Sequence, residues 1–429
     1  MGADPRESEA EIAPTPGSEK FPTHLRLSDL RGIAQLATKA TAAVTDVVEG
    51  VHRSIWRTLG FSGGREPGRT GGLTGLVYRA VHGVTRLVGG GVETVLEGIE
   101  PIFESPDDTI IESPEREAVL AALNGVMGDR LSADASPFAT RMTLRYRGQE
   151  LDPEDLVPSP GTTGKVLVLI HGLCMNDLQW RTQKNSHVVD HGEELAAALG
   201  YSPVRVRYNS GLHISENGRE LAACLEHLVN RWPVPVDELS VIAHSMGGLL
   251  IRAAHHTASL DESSWPKHLK NIVFLGTPHH GAPLEQAGNW IDIVLVRTPY
   301  TAPFATLGQL RSAGITDLRY GNLLDEDWQG RDRFEHAPDS RRVVPLPAGV
   351  ACFTVAATTT SESGFLGNRL IGDGLVPVDS ALGRHSDGRR DLGLAPGNQR
   401  IEYRMNHLGL LSSPEVTQQM VRWLRPNPA

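Results

Sequence analysis

The sequence predicts an α/β protein in which a mostly parallel sheet carries helices on both faces. From Lys165 onward, short and continuously apolar runs alternate with helical patterns, the signature of parallel strands buried on both sides. Residues that suggest chemistry fall just after those runs, at the carboxyl ends of strands, where such sheets place their sites. A composition of 40% hydrophobic and 21% charged residues over 429 positions supplies the core such a sheet needs.

The same composition narrows the partners. A net charge of −10 with no Lys/Arg block does not suit nucleic acid, whose binding needs a basic surface. Cys174, Cys224 and Cys352 form neither a CxxC pair nor a disulfide framework, which fits a cytoplasmic location. No apolar run reaches the roughly 18 residues of a membrane-spanning helix. The opening MGADPRESEAEIAPTPGSEK has five acidic and two basic residues and no apolar centre, unlike a secretory signal. Residues 1–24 are expected to be a disordered tail.

Elements then follow in chain order. From Leu30 to Leu59 apolar residues such as Ile33, Val44, Val47, Val51 and Ile55 recur at helical spacing. GFSGGREPGRTGG breaks that run, and a second one from Leu73 to Val88 continues in VETVLEGI. Residues 21–100 carry nine Lys/Arg and seven Asp/Glu, a balance that lacks the basic excess of helices drawn to anionic lipid. A helical hairpin packed on the rest of the chain is the leading expectation, with peripheral membrane contact through the valine-rich faces as the other.

A further helix is expected over 115–131, and the alternation in TRMTLRYRG (140–148) predicts a strand. LDPEDLVPSPGTTG, broken by prolines and glycines, reads as a linker. It divides an N-terminal helical extension (25–155) from a second domain (160–429). Strands in that domain are expected at 165–172, 203–208, 238–245, 271–278, 350–359 and 399–405. The stretch from about 282 to 348 has helical patterns of its own, NWIDIVLV and GITDLRYGNLL. It is positioned as a helical cap over the strand ends, where it would line and gate an apolar pocket.

The central chemical signal is SVIAHSMGGLLIRAA, a strand running through Ala243-His244-Ser245-Met246-Gly247 into a helix. A serine on so sharp a turn needs small residues two places to either side, and Ala243 and Gly247 are small. Its chemistry also needs two backbone N–H groups for the oxyanion. Met246, after the serine, would supply one. Leu173, in the His171-Gly172-Leu173-Cys174 turn after the first strand of the domain, would supply the other, with His171 a structural residue of that turn.

Serine is a poor nucleophile without a histidine base, and the base needs a carboxylate to fix its tautomer. GDGLVP, after the strand at 350–359, holds Asp373 in a tight turn, whereas Asp379 is less well framed. Of 17 histidines only His385 and His407 follow Asp373. His385 lies in the polar stretch GRHSDGRR and is expected to face solvent. His407 directly follows the last strand, where the base belongs in the order Ser, acid, His.

IHGLC, AHSMGG, FLGTPHHG (274–281), GDGLVP and a late NHLGLL, in this order, resemble the lipase and esterase branch of the α/β-hydrolase superfamily. Within it they are most similar to the lipase-like and GPI inositol-deacylase-like proteins. The resemblance implies an α/β-hydrolase fold with Ser245 as nucleophile, Asp373 as acid, His407 as base, and Leu173 and Met246 as oxyanion donors. It implies no cofactor, and nothing for the first 150 residues. His279 and His280 are adjacent, so their side chains diverge, and no further ligand set accompanies them; they are read as structural rather than metal-binding. His255 and His256 are read as helix surface. The expected substrate is a hydrophobic or lipid carboxylic ester. The same triad would also serve an acyltransferase, a thioesterase or an amidase, and a non-catalytic lipid-surface or scaffold protein is the remaining alternative.

Overall fold

A computed structural model describes residues 114–151, 160–184, 187–282, 312–331, 341–362 and 372–425. The expected tail, the amphipathic runs at 30–59 and 73–99, the middle of the expected linker and NWIDIVLV lie outside the described residues.

Helix α1 (Pro114–Ala133) opens the described chain, with non-helical torsions at Met127 between Gly125 and Gly128. Strands β1 (Thr143–Tyr146) and β2 (Gln149–Glu150) form a tight hairpin. β3 (Lys165–Ile170) follows, then a two-stranded hairpin of β4 (Arg181–Lys184) and β5 (His187–Asp190), and α2 (His191–Leu199). Next come β6 (Ser202–Arg207), α3 (Ile214–Arg231), β7 (Glu238–His244), α4 (Met246–Leu260) and β8 (Leu269–Leu275). The remainder is α5 (Ala313–Tyr320), β9 (Ala351–Thr358), α6 (Val378–Ala381), β10 (Gln399–Tyr403) and α7 (Pro414–Leu424). All six strands expected after Lys165 form.

The main sheet has eight strands in the order β10-β9-β8-β7-β3-β6-β1-β2, parallel from β10 to β6, with β1 antiparallel to β6. Alternate side chains feed two cores. Val166, Val168 and Ile170 of β3 join the core that includes α1, α3 and α4, while Leu167 and Leu169 join the one that includes α2 and α7. After β3 the chain moves outward to β6, then returns past β3 to β7. Winding therefore reverses between β3 and β7, and a ligand crevice opens at the carboxyl ends of strands at such a point. The loop of Leu173 follows β3 and Ser245 follows β7.

One expectation needs correction. The extension at 25–155 is not set apart where it is described, because β1 completes the edge of the main sheet against β6, and Ala122, Leu123, Val126 and Leu131 of α1 enter its core. Buried charge joins the same parts: Arg207 donates to Asp177 and, at 2.8 Å, to Glu117 of α1, while Arg145 of β1 lies 3.3 Å from Asp177. The expected boundary near 155–160 thus separates two strands of one sheet.

Of the 282–348 insertion, Ser312 and α5 lie at the carboxyl end of β6, while Val344 meets Arg252 of α4. The Gly314 N–H donates to Gly211 O at 3.1 Å, and the Ser312 hydroxyl donates to Gly125 O of α1 at 2.6 Å. Among the described residues no helix is long and apolar enough to cross a membrane.

Candidate active site

β7 delivers Ser245 into a backbone conformation with φ 55° and ψ −122°, costly for a residue with a side chain and therefore held from outside. The Ser245 N–H donates to Leu275 O on β8 at 2.8 Å. Behind the turn there is no space. A Cβ on Gly247 would lie 2.6 Å from Ile170 O, and one on Gly248 would lie 2.0 Å from Thr277 Oγ1. Small residues are needed because the start of α4 is pressed onto the end of β3 and the loop after β8. Ser245 is 3% exposed, and Met246 is the first residue of α4, where an N–H has no intrahelical partner.

The turn after β3 meets Ser245 directly, since a Cβ on Gly172 would lie 3.0 Å from Ser245 Cβ. His171 Nδ1 pairs with Gly172 O at 2.8 Å. A carbonyl can only accept, so Nδ1 carries the proton and Nε2 faces the Tyr208 N–H, 3.4 Å away. In a trans peptide C=O and N–H point oppositely, so this bond turns the Leu173 N–H away from His171. Among the described residues that N–H has no acceptor. Burial pushes the His171 imidazole down to about 4, which keeps it neutral and suits the structural reading given to it.

Asp373 and His407 come from the turns after β9 and β10, and both are almost completely buried. Asp373 Oδ2 lies 2.7 Å from His407 Nδ1, while Oδ1 accepts the N–H groups of Leu375 and Val376 at 2.9 and 2.8 Å. Gly374, at φ 97°, lets the turn fold back to make those bonds. The His407 N–H donates to Asp373 O at 3.2 Å. His407 opens a short turn capped by Asn406, whose side chain accepts the Gly409 N–H. The backbone of Gly276 lies against the imidazole, for a Cβ there would stand 3.0 Å from His407 Cε1. Nδ1 is thus committed to the carboxylate, leaving Nε2 for proton transfer. Ser245 Oγ itself has no hydrogen-bond partner among the described residues; such contacts commonly tighten only with substrate.

Asp379, the weaker candidate, is half exposed and lies 3.9 Å from Arg384. His385 is half-buried rather than solvent-facing, edge-on to His280 at 4.9 Å. His279 is buried edge-on to Phe274 and 3.3 Å from Arg252, and desolvation and the nearby guanidinium hold it well below the usual histidine range. His255 is half-buried near Trp265, so it is less a surface residue than its sequence suggests. No group of three or more His, Cys, Asp or Glu among the described residues could hold a metal ion.

Several supports were not visible in the sequence. His191 at the start of α2, fully buried, bonds Leu410 O at 2.9 Å and Thr417 Oγ1 at 2.8 Å, bracing the segment that carries His407. The Thr182 hydroxyl of β4 donates to Leu411 O on that segment. His244 packs its ring 4.7 Å from that of His407. Each bond joins residues far apart in the chain, so no local signal could have found it.

A parallel sheet that reverses its winding between β3 and β7, a strained serine at that reversal, and an acid and a histidine after the last two strands define an α/β-hydrolase fold. A model for a domain of unknown function, DUF7379, matches residues 139–318. No curated protein sequence matches the chain. Among solved structures the chain is similar to the mature Bacillus licheniformis lipase BlEst2, at 18% identity over 62% of this chain and 96% of that one, with a TM-score of 0.38. Aspergillus fumigatus lipase B aligns at 11% identity over 91% and 84%, with a TM-score of 0.39. Pyrococcus furiosus esterase Pf2001 aligns at 15% over 62% and 81%, with a TM-score of 0.34. At these identities and scores they are likenesses only, and neither activity nor substrate follows from them.

Proposed function

We propose that this chain is a serine hydrolase of carboxylic esters working through an acyl-enzyme. The observation that carries the reading is the Asp373–His407 bond at 2.7 Å, made after the last two strands of a sheet whose winding reversal holds the strained Ser245. Ser245 Oγ attacks the ester carbonyl carbon and its proton passes to His407 Nε2, while Asp373 holds Nδ1–H and stabilises the imidazolium. The N–H groups of Leu173 and Met246 receive the oxyanion, aided by the positive end of the α4 dipole. His407 returns the proton to the departing alcohol, then activates the water that releases the acid.

A hydrophobic acyl or lipid ester is the substrate class this reading favours. Met175 lies against Gly172 beside Ser245, so one adaptable thioether side chain adjoins the nucleophile. The test is hydrolysis of p-nitrophenyl esters from short to long acyl chains by the full chain and by Ser245→Ala. Activity that rises with chain length and vanishes in the variant is expected. Activity that survives the substitution would overturn the assignment of Ser245.

A further inference from the structure

The turn Tyr208–Gly211 takes no part in the mechanism above, yet it touches the Leu173 loop on one side and the insertion helix on the other. Ser210 is 1% exposed and its Oγ accepts the N–H of Cys174 at 3.0 Å. Cys174 has φ 57°, a left-handed conformation that a residue with a side chain adopts only under external constraint. Gly125 of α1 closes the other side, where a Cβ would lie 2.2 Å from Cys174 Sγ. The turn is itself anchored. The Tyr208 hydroxyl donates to His171 O at 3.0 Å, and the Asn209 side chain donates to Gly128 O at 3.0 Å. From the insertion, the Gly314 N–H bonds Gly211 O, and a Cβ on Gly314 would lie 2.1 Å from Ser210 O.

Leu173 therefore sits between two pinned peptides. His171 holds the peptide before it by the Gly172 carbonyl, and Ser210 holds the peptide after it by the Cys174 N–H. Gly172 offers little torsional resistance of its own, so once the second pin is released the first peptide is held by the His171 bond alone and its aim loosens. We propose that Ser210 is a positioning residue for the oxyanion site: its hydroxyl fixes the left-handed Cys174, thereby aims the Leu173 N–H, and links that aim to the docking of α5. This role rests on reading Ser245 as the nucleophile and Leu173 as a donor.

The test compares the full chain with Ser210→Ala, Ser210→Thr, Gly314→Ala and the Ser210→Ala/Gly314→Ala double variant, using p-nitrophenyl butyrate turnover, melting temperature, and amide exchange over residues 171–176. Losing an oxyanion donor outright costs roughly 100- to 1,000-fold in kcat, so mis-aiming one should cost about 10- to 100-fold. Ser210→Ala should show that loss with KM within about twofold, faster exchange at 171–176, and recovery in Ser210→Thr, which keeps the acceptor. Gly314→Ala should lower kcat too, and the double variant should lose less than the product of the two single losses. Wild-type kcat and exchange in Ser210→Ala would overturn the proposal while leaving Ser245 in place, and multiplicative losses would overturn the link to α5. Turnover that survives Ser245→Ala would instead remove Ser245 as the nucleophile, and with it the oxyanion role given to Ser210.

Discussion

On the Ser245 side of the crevice the turn that carries the nucleophile is set by close packing at glycines, whereas on the His407 side position is set largely by side chains that reach across and bond. Gly247 and Gly248 have no room for a Cβ, and Gly172 is nearly as close to Ser245. Asp373 is fixed by two backbone N–H groups, and the segment after His407 by Asn406 and by His191. Contact of the first kind admits almost no substitution. Bonds of the second kind tolerate a change of shape and fail when a donor or acceptor is lost.

The sharpest way to strain that contrast is Asp373→Asn, which keeps the shape and removes the carboxylate that fixes the histidine tautomer. It should lower kcat by roughly 1,000- to 10,000-fold with little change in melting temperature. Measured steady-state kinetics within tenfold of wild type would show that the carboxylate is not what orients His407. Gly247→Ala is the counterpart on the other side. It should destabilise the protein by about 3 kcal/mol in urea unfolding, since Ile170 O and His171 O lie at 2.6 and 2.7 Å from the added carbon. A near-neutral result would mean that the start of α4 can yield.

Acidification tests a buried histidine that lies on the packed side. His171 is held at about 4 in the folded protein by burial but takes a proton near 6.5 in the unfolded chain. The unfolded state then binds more protons as pH falls from 6.5 to 4, so stability declines through that window, by on the order of 3 kcal/mol from this residue alone. His171→Asn, which can still donate to Gly172 O, should flatten the decline in melting temperature; an unchanged slope would assign it to other buried histidines. The smallest expected effect is that of His191→Phe, which fills the site but abandons Leu410 O and Thr417 Oγ1. It should cost about 2 kcal/mol and lower kcat several-fold, with His191→Gln recovering part of both. If Phe were harmless, the His407 segment would be held by packing after all, and the contrast between the two sides would fail.

The same contrast explains what could be read from the sequence. Ser245, Asp373 and His407 stood out because a strained turn, a glycine-flanked acid and a strand end leave marks on their immediate neighbours. The six parallel strands were legible because double-sided burial requires continuous apolar runs. Ser210, His191 and Asn209 left no such mark, since each acts on residues far away in the chain. The place of the extension in the sheet is hidden for a related reason. The prolines after Leu151 look like a boundary, and only the pairing of β1 with β6 and the meeting of Glu117, Asp177 and Arg207 show that the chain returns to the same sheet.

That buried meeting of charges has a consequence for the order of assembly. During synthesis Glu117 emerges long before Arg207, with 90 residues between the two partners. α1 and β1 must wait beside the ribosome with an open strand edge until β6 appears, Glu117 having only its neighbour Arg116 for a partner among the described residues. β1 is the first strand of the main sheet to be made, yet it cannot take its place until β3 and β6 are present. Until that edge closes, β1 is exposed to chaperones and to wrong pairing, and the sheet itself is complete only when β10 has followed.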